Sequence, residues 1–164
     1  MTSRIHPLAA ALLLIVIGLT SACHSANEPL SSEQHVDGLV GYLGVMPAAI
    51  VRAHPADHPE ASMHAAAPRG NAHLVIALYD QAGARIEDAA VDAVVSGERH
   101  HGGHQTRLEP MRIEGVVTYG AFLNLDERDR YHVDVAIRRG DALRAIHMRF
   151  LFDAAALAVA DPTP

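Results

Sequence analysis

Between Tyr131 and Phe152 the chain alternates apolar and polar residues twice, on either side of Gly140-Asp141. Tyr131, Val133, Val135 and Ile137 interleave with His132, Asp134, Ala136 and Arg138. Ile146, Met148, Phe150 and Phe152 interleave with His147, Arg149 and Leu151. A period of two belongs to a β-strand and does not build the apolar stripe of a helix. A two-residue turn at Gly140-Asp141 would set Tyr131 against Phe150, Val133 against Met148 and Val135 against Ile146. On the other face it would set Asp134 opposite His147 and His132 opposite Arg149. A slip of one residue would send every apolar side chain to the wrong face. The chain must therefore contain a half-buried antiparallel hairpin, with Met148 in its core.

The same rhythm runs upstream. Ala72 to Asp80 is an apolar strand that ends in a Gln81–Ala84 turn. In Ala89 to Ser96, Val91, Ala93 and Val95 share one face. Gly97 to Thr106 reads as a hydrophilic loop. Leu108 to Ile113 reads as a short strand interrupted by Pro110, and Glu114-Gly115 turns the chain into Val116 to Leu123. Leu39 to Arg52 carries Gly41, Gly44 and Pro47, which argue against a helix and against a central strand. An edge strand or paired short strands suit it better. About seven short strands at regular spacing predict an all-β fold, an antiparallel immunoglobulin-like β-sandwich over 37–153. With no Trp, four Tyr and three Phe, its core must rest on Val, Ile, Leu and Ala.

Residues 1–23 read as an export signal. Arg4 is the positive end, and Pro7 to Leu19 is an apolar run too short to span a bilayer comfortably. Leu19-Thr20-Ser21-Ala22-Cys23 resembles a bacterial lipobox, with Thr20 in place of the usual Leu. Cys23 would then be lipidated and become the mature N-terminus. An ordinary secretory signal cleaved nearby is the other reading. Residues 24–36 would be a flexible tether and 154–164 a disordered tail. Such a chain is extracytoplasmic, a periplasmic lipoprotein held to a membrane by its lipid. Its single cysteine leaves the domain without disulfides, so it stands on its core alone.

The formal net charge is −6, and all thirteen basic residues are Arg. That balance argues against a nucleic-acid partner, which needs a basic face. No nucleophile–base arrangement, P-loop, zinc-protease motif or dinucleotide fingerprint is present, so the chain reads as a non-enzyme. Twelve histidines are the odd feature. Imidazole is the commonest metal ligand and titrates near neutrality. His54, His58, Met63, His64 and His73 lie in one Pro-rich stretch, HPADHPEASMHAAAPRGNAH. If that stretch folds back, four imidazoles and one thioether could meet. Neutral imidazole suits zinc and Cu²⁺, and an added thioether shifts the preference to Cu⁺. His100, His101 and His104 form a second cluster around two glycines. Both clusters could serve one site if the two loops share an end of the sandwich. Either could instead be a solvated surface loop. Met111, after Pro110, could be an exposed thioether ligand, although methionine in a β-domain is more often core. His147 with Asp134 is an exposed cross-strand pair or a ligand steadied by a carboxylate.

The strand ending LYDQAGARI, the strand DAAVDAVV, the segment LEPMRI, the strand VTYGAF and the closing pair around Tyr131 resemble the YtkA-like and FixH-like group of small bacterial extracytoplasmic domains. The resemblance covers about half the chain, Ala72 to Phe152. It implies an immunoglobulin-like fold and membrane attachment, and, for some members, copper handling or respiratory-oxidase assembly. The segment from Pro47 to His64 lies outside it.

Two functions follow. The first is a membrane-tethered lipoprotein that binds a transition metal as carrier, chaperone or sensor, with copper favoured over zinc or iron, in contact with another envelope metal-handling or respiratory protein. The second is a non-catalytic structural or protein-interaction module with incidental histidines.

Overall fold

The computed structural model describes residues 31–53, 69–99, 102–113, 115–140 and 142–159. Eight strands follow in chain order: β1 (Glu33–Val36), β2 (Leu39–Pro47), β3 (Ala72–Asp80), β4 (Ala89–Gly97), β5 (Gly103–Ile113), β6 (Val116–Leu123), β7 (Arg130–Arg139) and β8 (Ile146–Asp153). Among the described residues there are also two short helices, α1 (Ala48–Arg52) and α2 (Ala155–Val159). All strand pairings are antiparallel, in the order β1-β2-β3-β6-β5-β4-β7-β8. The fold is an all-β sandwich that nearly closes on itself, because Ser31 bridges to Leu151 of β8.

One strand joins the two sheets. Residues 103–108 of β5 pair with β4, and residues 109–113 pair with β6. Pro110, expected to interrupt a short strand, sits just past that changeover in one continuous strand of 11 residues. A proline lacks the N–H that a ladder needs, and a strand changing partners is where that loss is tolerated.

The core lies between the sheets. Leu74, Ile76 and Leu78 of β3 face Val91, Ala93 and Val95 of β4, with Val117, Tyr119, Val133, Val135, Met148 and Phe150 around them. Gly41 of β2 sits where Met148 crosses from the opposite sheet. A Cβ there would lie 2.5 Å from its sulfur. Tyr119 brings its hydroxyl through the core to the β3–β4 connection. The Ala89 N–H donates to it at 3.0 Å, and it donates to the Ile86 carbonyl at 3.2 Å. Burial pushes the hydroxyl's pKa up. Tyr119→Phe should cost about 1–2 kcal/mol, since it leaves a part-buried N–H and a buried carbonyl without this partner. Urea denaturation measures the loss, and an unchanged midpoint would contradict it.

The closing hairpin keeps its predicted faces but not its predicted register. Tyr131 pairs with Phe152, Val133 with Phe150, Val135 with Met148 and Ile137 with Ile146. The turn at Gly140 forms, with the Ala142 N–H donating to the Arg139 carbonyl at 3.0 Å. The exposed Leu143 and Arg144 then loop out before pairing begins. A shift of two leaves each side chain on its face. It yields four apolar pairs, where the tighter turn would set Ile137 against Arg144. It also puts Asp134 opposite Arg149, at 2.6 Å, in place of His147, which faces Ala136. The carboxylate takes the permanent cation, so the Asp134–His147 pairing does not form. His132 faces Leu151, not Arg149.

Four other expectations change. The sheet starts at Glu33, inside the stretch read as a tether, and β1 brings the strand count to eight. β2 is interior to its sheet, between β1 and β3, and Pro47 starts helix α1. Its φ of −57° suits a helix entrance, and Ala48 and Val51 are buried behind it. Thr106 and His104, read as loop, belong to β5. The start of the tail is helical. The Asp153 carboxylate accepts the Ala155 N–H at 3.0 Å, and Ala154 and Leu157 join the core.

Candidate metal site on the outer face of the sheet

Side chains on β3 alternate between core and outer face. Ala72, Leu74, Ile76 and Leu78 point to the core, so His73 points away from it. An outward imidazole on a sandwich is normally wet, yet His73 is 2% exposed. It pairs across the sheet with Met46 on one side and Phe122 on the other. Directly opposed side chains on one face stand about 5 Å apart at Cβ. The Phe122 ring stacks on the imidazole, with centroids 4.4 Å apart and planes 17° from parallel.

Met111 belongs to the same face. Its partner on β6 is Thr118, one step out of phase with the core residues Val117 and Tyr119. Met111 is 1% exposed but is not part of the core cluster. The expectation that it would be core or exposed is thus replaced by a third answer: it is buried on the outside of the sheet. Gly120 explains how. A Cβ at Gly120 would lie 2.5 Å from the Met111 methyl carbon and 3.0 Å from His73 Nε2. The missing side chain leaves the space into which the thioether and imidazole converge. Gly120→Ala should therefore displace both and cost about 1–3 kcal/mol, as overpacking does.

The donors are one imidazole and one thioether, with Met46 as a second thioether beside the imidazole. That set fits a soft cation, Cu⁺ above zinc. Among the described residues no three of His, Cys, Asp and Glu come together. Sequence reasoning named His73 and missed Met46, for which no local pattern gives a signal.

The other predicted residues fall in two groups. His54, His58, Met63, His64, His100, His101 and Cys23 lie outside the described residues. His104 is described. It pairs with the core residue Val95, so it lies on the inward face of β5 where the sandwich opens. There it lines a cavity of about 550 Å³ together with Arg69 and Phe122. Arg69 follows the first histidine segment, and Gly102, which also lines the cavity, follows the second. The described flanks of both segments thus meet at one end of the sandwich.

No family model matches the chain, and no curated protein matches it. Solved structures share its fold. FetP of uropathogenic Escherichia coli, as isolated, is 12% identical over 76% of this chain and 93% of its own, with a TM-score of 0.58. The copper-reconstituted P19 protein from Campylobacter jejuni is 12% identical over 76% and 93%, with a TM-score of 0.54. A DUF4426 family protein from Pseudomonas aeruginosa is 14% identical over 75% and 96%, with a TM-score of 0.51.

Proposed function

We propose that the chain is a membrane-tethered extracytoplasmic copper-binding protein, a carrier or chaperone and not an enzyme. The observation that carries this reading is the buried His73–Met111 pair over Gly120. A buried imidazole and a buried thioether outside the core have no part in holding the two sheets together. Copper-bound structures of P19 and FetP are known, and their fold likeness adds support. So does the sequence resemblance to YtkA-like and FixH-like domains. The ligand set would be His73 and Met111, with His54, His58, His64 and Met63 from the segment between α1 and β3. Copper bound there would pass to another envelope metal-handling or respiratory protein.

The test is a Cu⁺ competition titration of the full chain with its His73→Gln and Met111→Leu variants. Each should weaken Cu⁺ by at least about tenfold, as losing a ligand or its support does. Zinc titrations separate the metals. A zinc site built on imidazole should ignore Met111→Leu, while a Cu⁺ site should not. If neither variant changes copper affinity, the site is elsewhere.

The rival reading is a structural or interaction module with incidental histidines. Binding no tighter than millimolar in the wild type would favour it. The tether has a separate test. In a bacterium with lipoprotein machinery the chain should fractionate with membranes, and Cys23→Ser should release it or block its processing. Equal solubility and processing of the two would remove the lipid anchor.

A further inference from the structure

We propose that the cavity at the open end of the sandwich binds a small organic carboxylate. This site is separate from the metal reading and does not depend on it. Its apolar lining residues are Val95, Phe122, Leu123, Leu125 and Tyr131. Among the described residues, the charged groups on its rim are Arg69, His104 and Asp126. Asp126 is already engaged. It accepts Arg128 Nε at 3.2 Å and Nη2 at 3.4 Å, and caps its own turn through the Arg128 N–H at 3.0 Å. Arg69 is the permanent cation among the described residues of the rim. Its planar fork matches a carboxylate in two parallel hydrogen bonds. A volume of about 550 Å³ is that of a small-molecule pocket.

The walls are held in place before any ligand arrives. Gly70 packs against the Leu123 backbone so closely that a Cβ would strike its carbonyl, and its φ of +127° suits only glycine. Asn71 grips the β6–β7 connection with two hydrogen bonds, donating to the Leu125 carbonyl at 2.8 Å and accepting its N–H at 2.9 Å. These contacts fix the backbone that carries Arg69. On the far wall the buried Asp129 carboxylate accepts the Arg99 N–H at 3.1 Å and the Arg130 N–H at 2.8 Å. It lies so near Gly97 that no side chain fits there. The Tyr131 hydroxyl accepts the Asp126 N–H at 2.8 Å. A pocket whose walls are tied in this way loses little freedom when it is filled. An apolar lining beside one guanidinium selects an anion with an apolar body, such as an aromatic or short aliphatic carboxylate.

Phe122 supplies a reporter, because it lines the cavity and its ring stacks on His73. The experiment is a two-dimensional NMR titration of the metal-free full chain with benzoate, benzyl alcohol and benzylamine. Benzoate should shift the Val95, Leu123 and Leu125 methyl signals and the His73 ring signals along one saturating curve. Benzyl alcohol should bind at least about fivefold more weakly, and benzylamine more weakly still, by the loss of one partly solvated charge pair. Arg69→Gln should weaken benzoate by a similar factor and leave benzyl alcohol unchanged. Arg69 is exposed, so the variant should keep the wild-type spectrum. No saturable shift with benzoate, equal binding of benzoate and benzyl alcohol, or an Arg69→Gln variant that binds benzoate normally would each overturn the proposal.

Discussion

Met148→Asp should leave the chain unfolded in water at room temperature. The Met148 side chain is buried in the sandwich, pairs with Val135 within its own sheet and reaches Gly41 of the other. An aspartate there would bury a carboxylate with no partner, or hold it neutral against its ordinary pKa. Either costs several kcal/mol. A domain of this size is stable by about 5–15 kcal/mol, and the lost methionine packing adds to the penalty. Far-UV circular dichroism should show the β signal of the wild type gone. The control stands one residue away. His147 is exposed and faces Ala136 on the outer side, so His147→Ala should change stability by under about 0.5 kcal/mol. Arg149→Ala removes the 2.6 Å pair with Asp134, which is largely exposed and worth under about 1 kcal/mol. Comparable damage from Met148→Asp and His147→Ala would mean that the two side chains share a face, and the hairpin register would be wrong.

A His54/His58/His64 triple alanine should lose tight copper binding, by at least about a hundredfold, because three ligands leave together. A His100/His101/His104 triple alanine should keep it. The first segment contains Pro55, Pro59 and Pro68, which narrow its conformations, and it runs into the strand that carries His73. Its described ends are drawn together by Arg52, whose guanidinium donates to the Gly70 carbonyl at 2.9 Å. The second segment runs into Gly103 and His104 of β5, and His104 lies on the inward face of that strand while His73 lies on the outer face of β3. Binding should weaken as pH falls through about 6, since each imidazole must shed its proton before it can hold a metal. Copper titrations of the two variants at pH 7.5 and pH 5.5 read both effects. The reverse pattern would move the site to the second cluster, and no loss in either variant would end the proposal that these histidines bind copper.

Much of the fold was legible in the residues because a strand's pattern is local. β3 and β6 run over the ranges read from the sequence, and Val91, Ala93 and Val95 are all buried as their spacing required. The helical turn at Ala48–Arg52 and the strand β1 were not legible. Glu33–Val36 has no apolar alternation strong enough to mark it, and it is a strand because β2 offers an edge to pair with. The tail was misread for a related reason. Ala154 and Leu157 look like low-complexity residues until the end of the sandwich gives them somewhere to pack.

By itself the sequence determined the architecture: the alternating faces, the turn positions, the apolar set that fills the core, and the concentration of histidine. Each depends on neighbours along the chain. Which register the last hairpin takes was decided by tertiary structure, since two registers differing by two residues present the same faces. Packing chose the one with four apolar pairs. The surroundings of His73 and Met111 were decided the same way. The run from Leu74 to Leu78 is apolar throughout, so its pattern does not say which face meets the other sheet. Met111 turns outward because it stands three residues beyond the core residue Leu108 in one continuous strand. An imidazole on one strand and a thioether on another meet over a glycine on a third, and that meeting exists only in three dimensions.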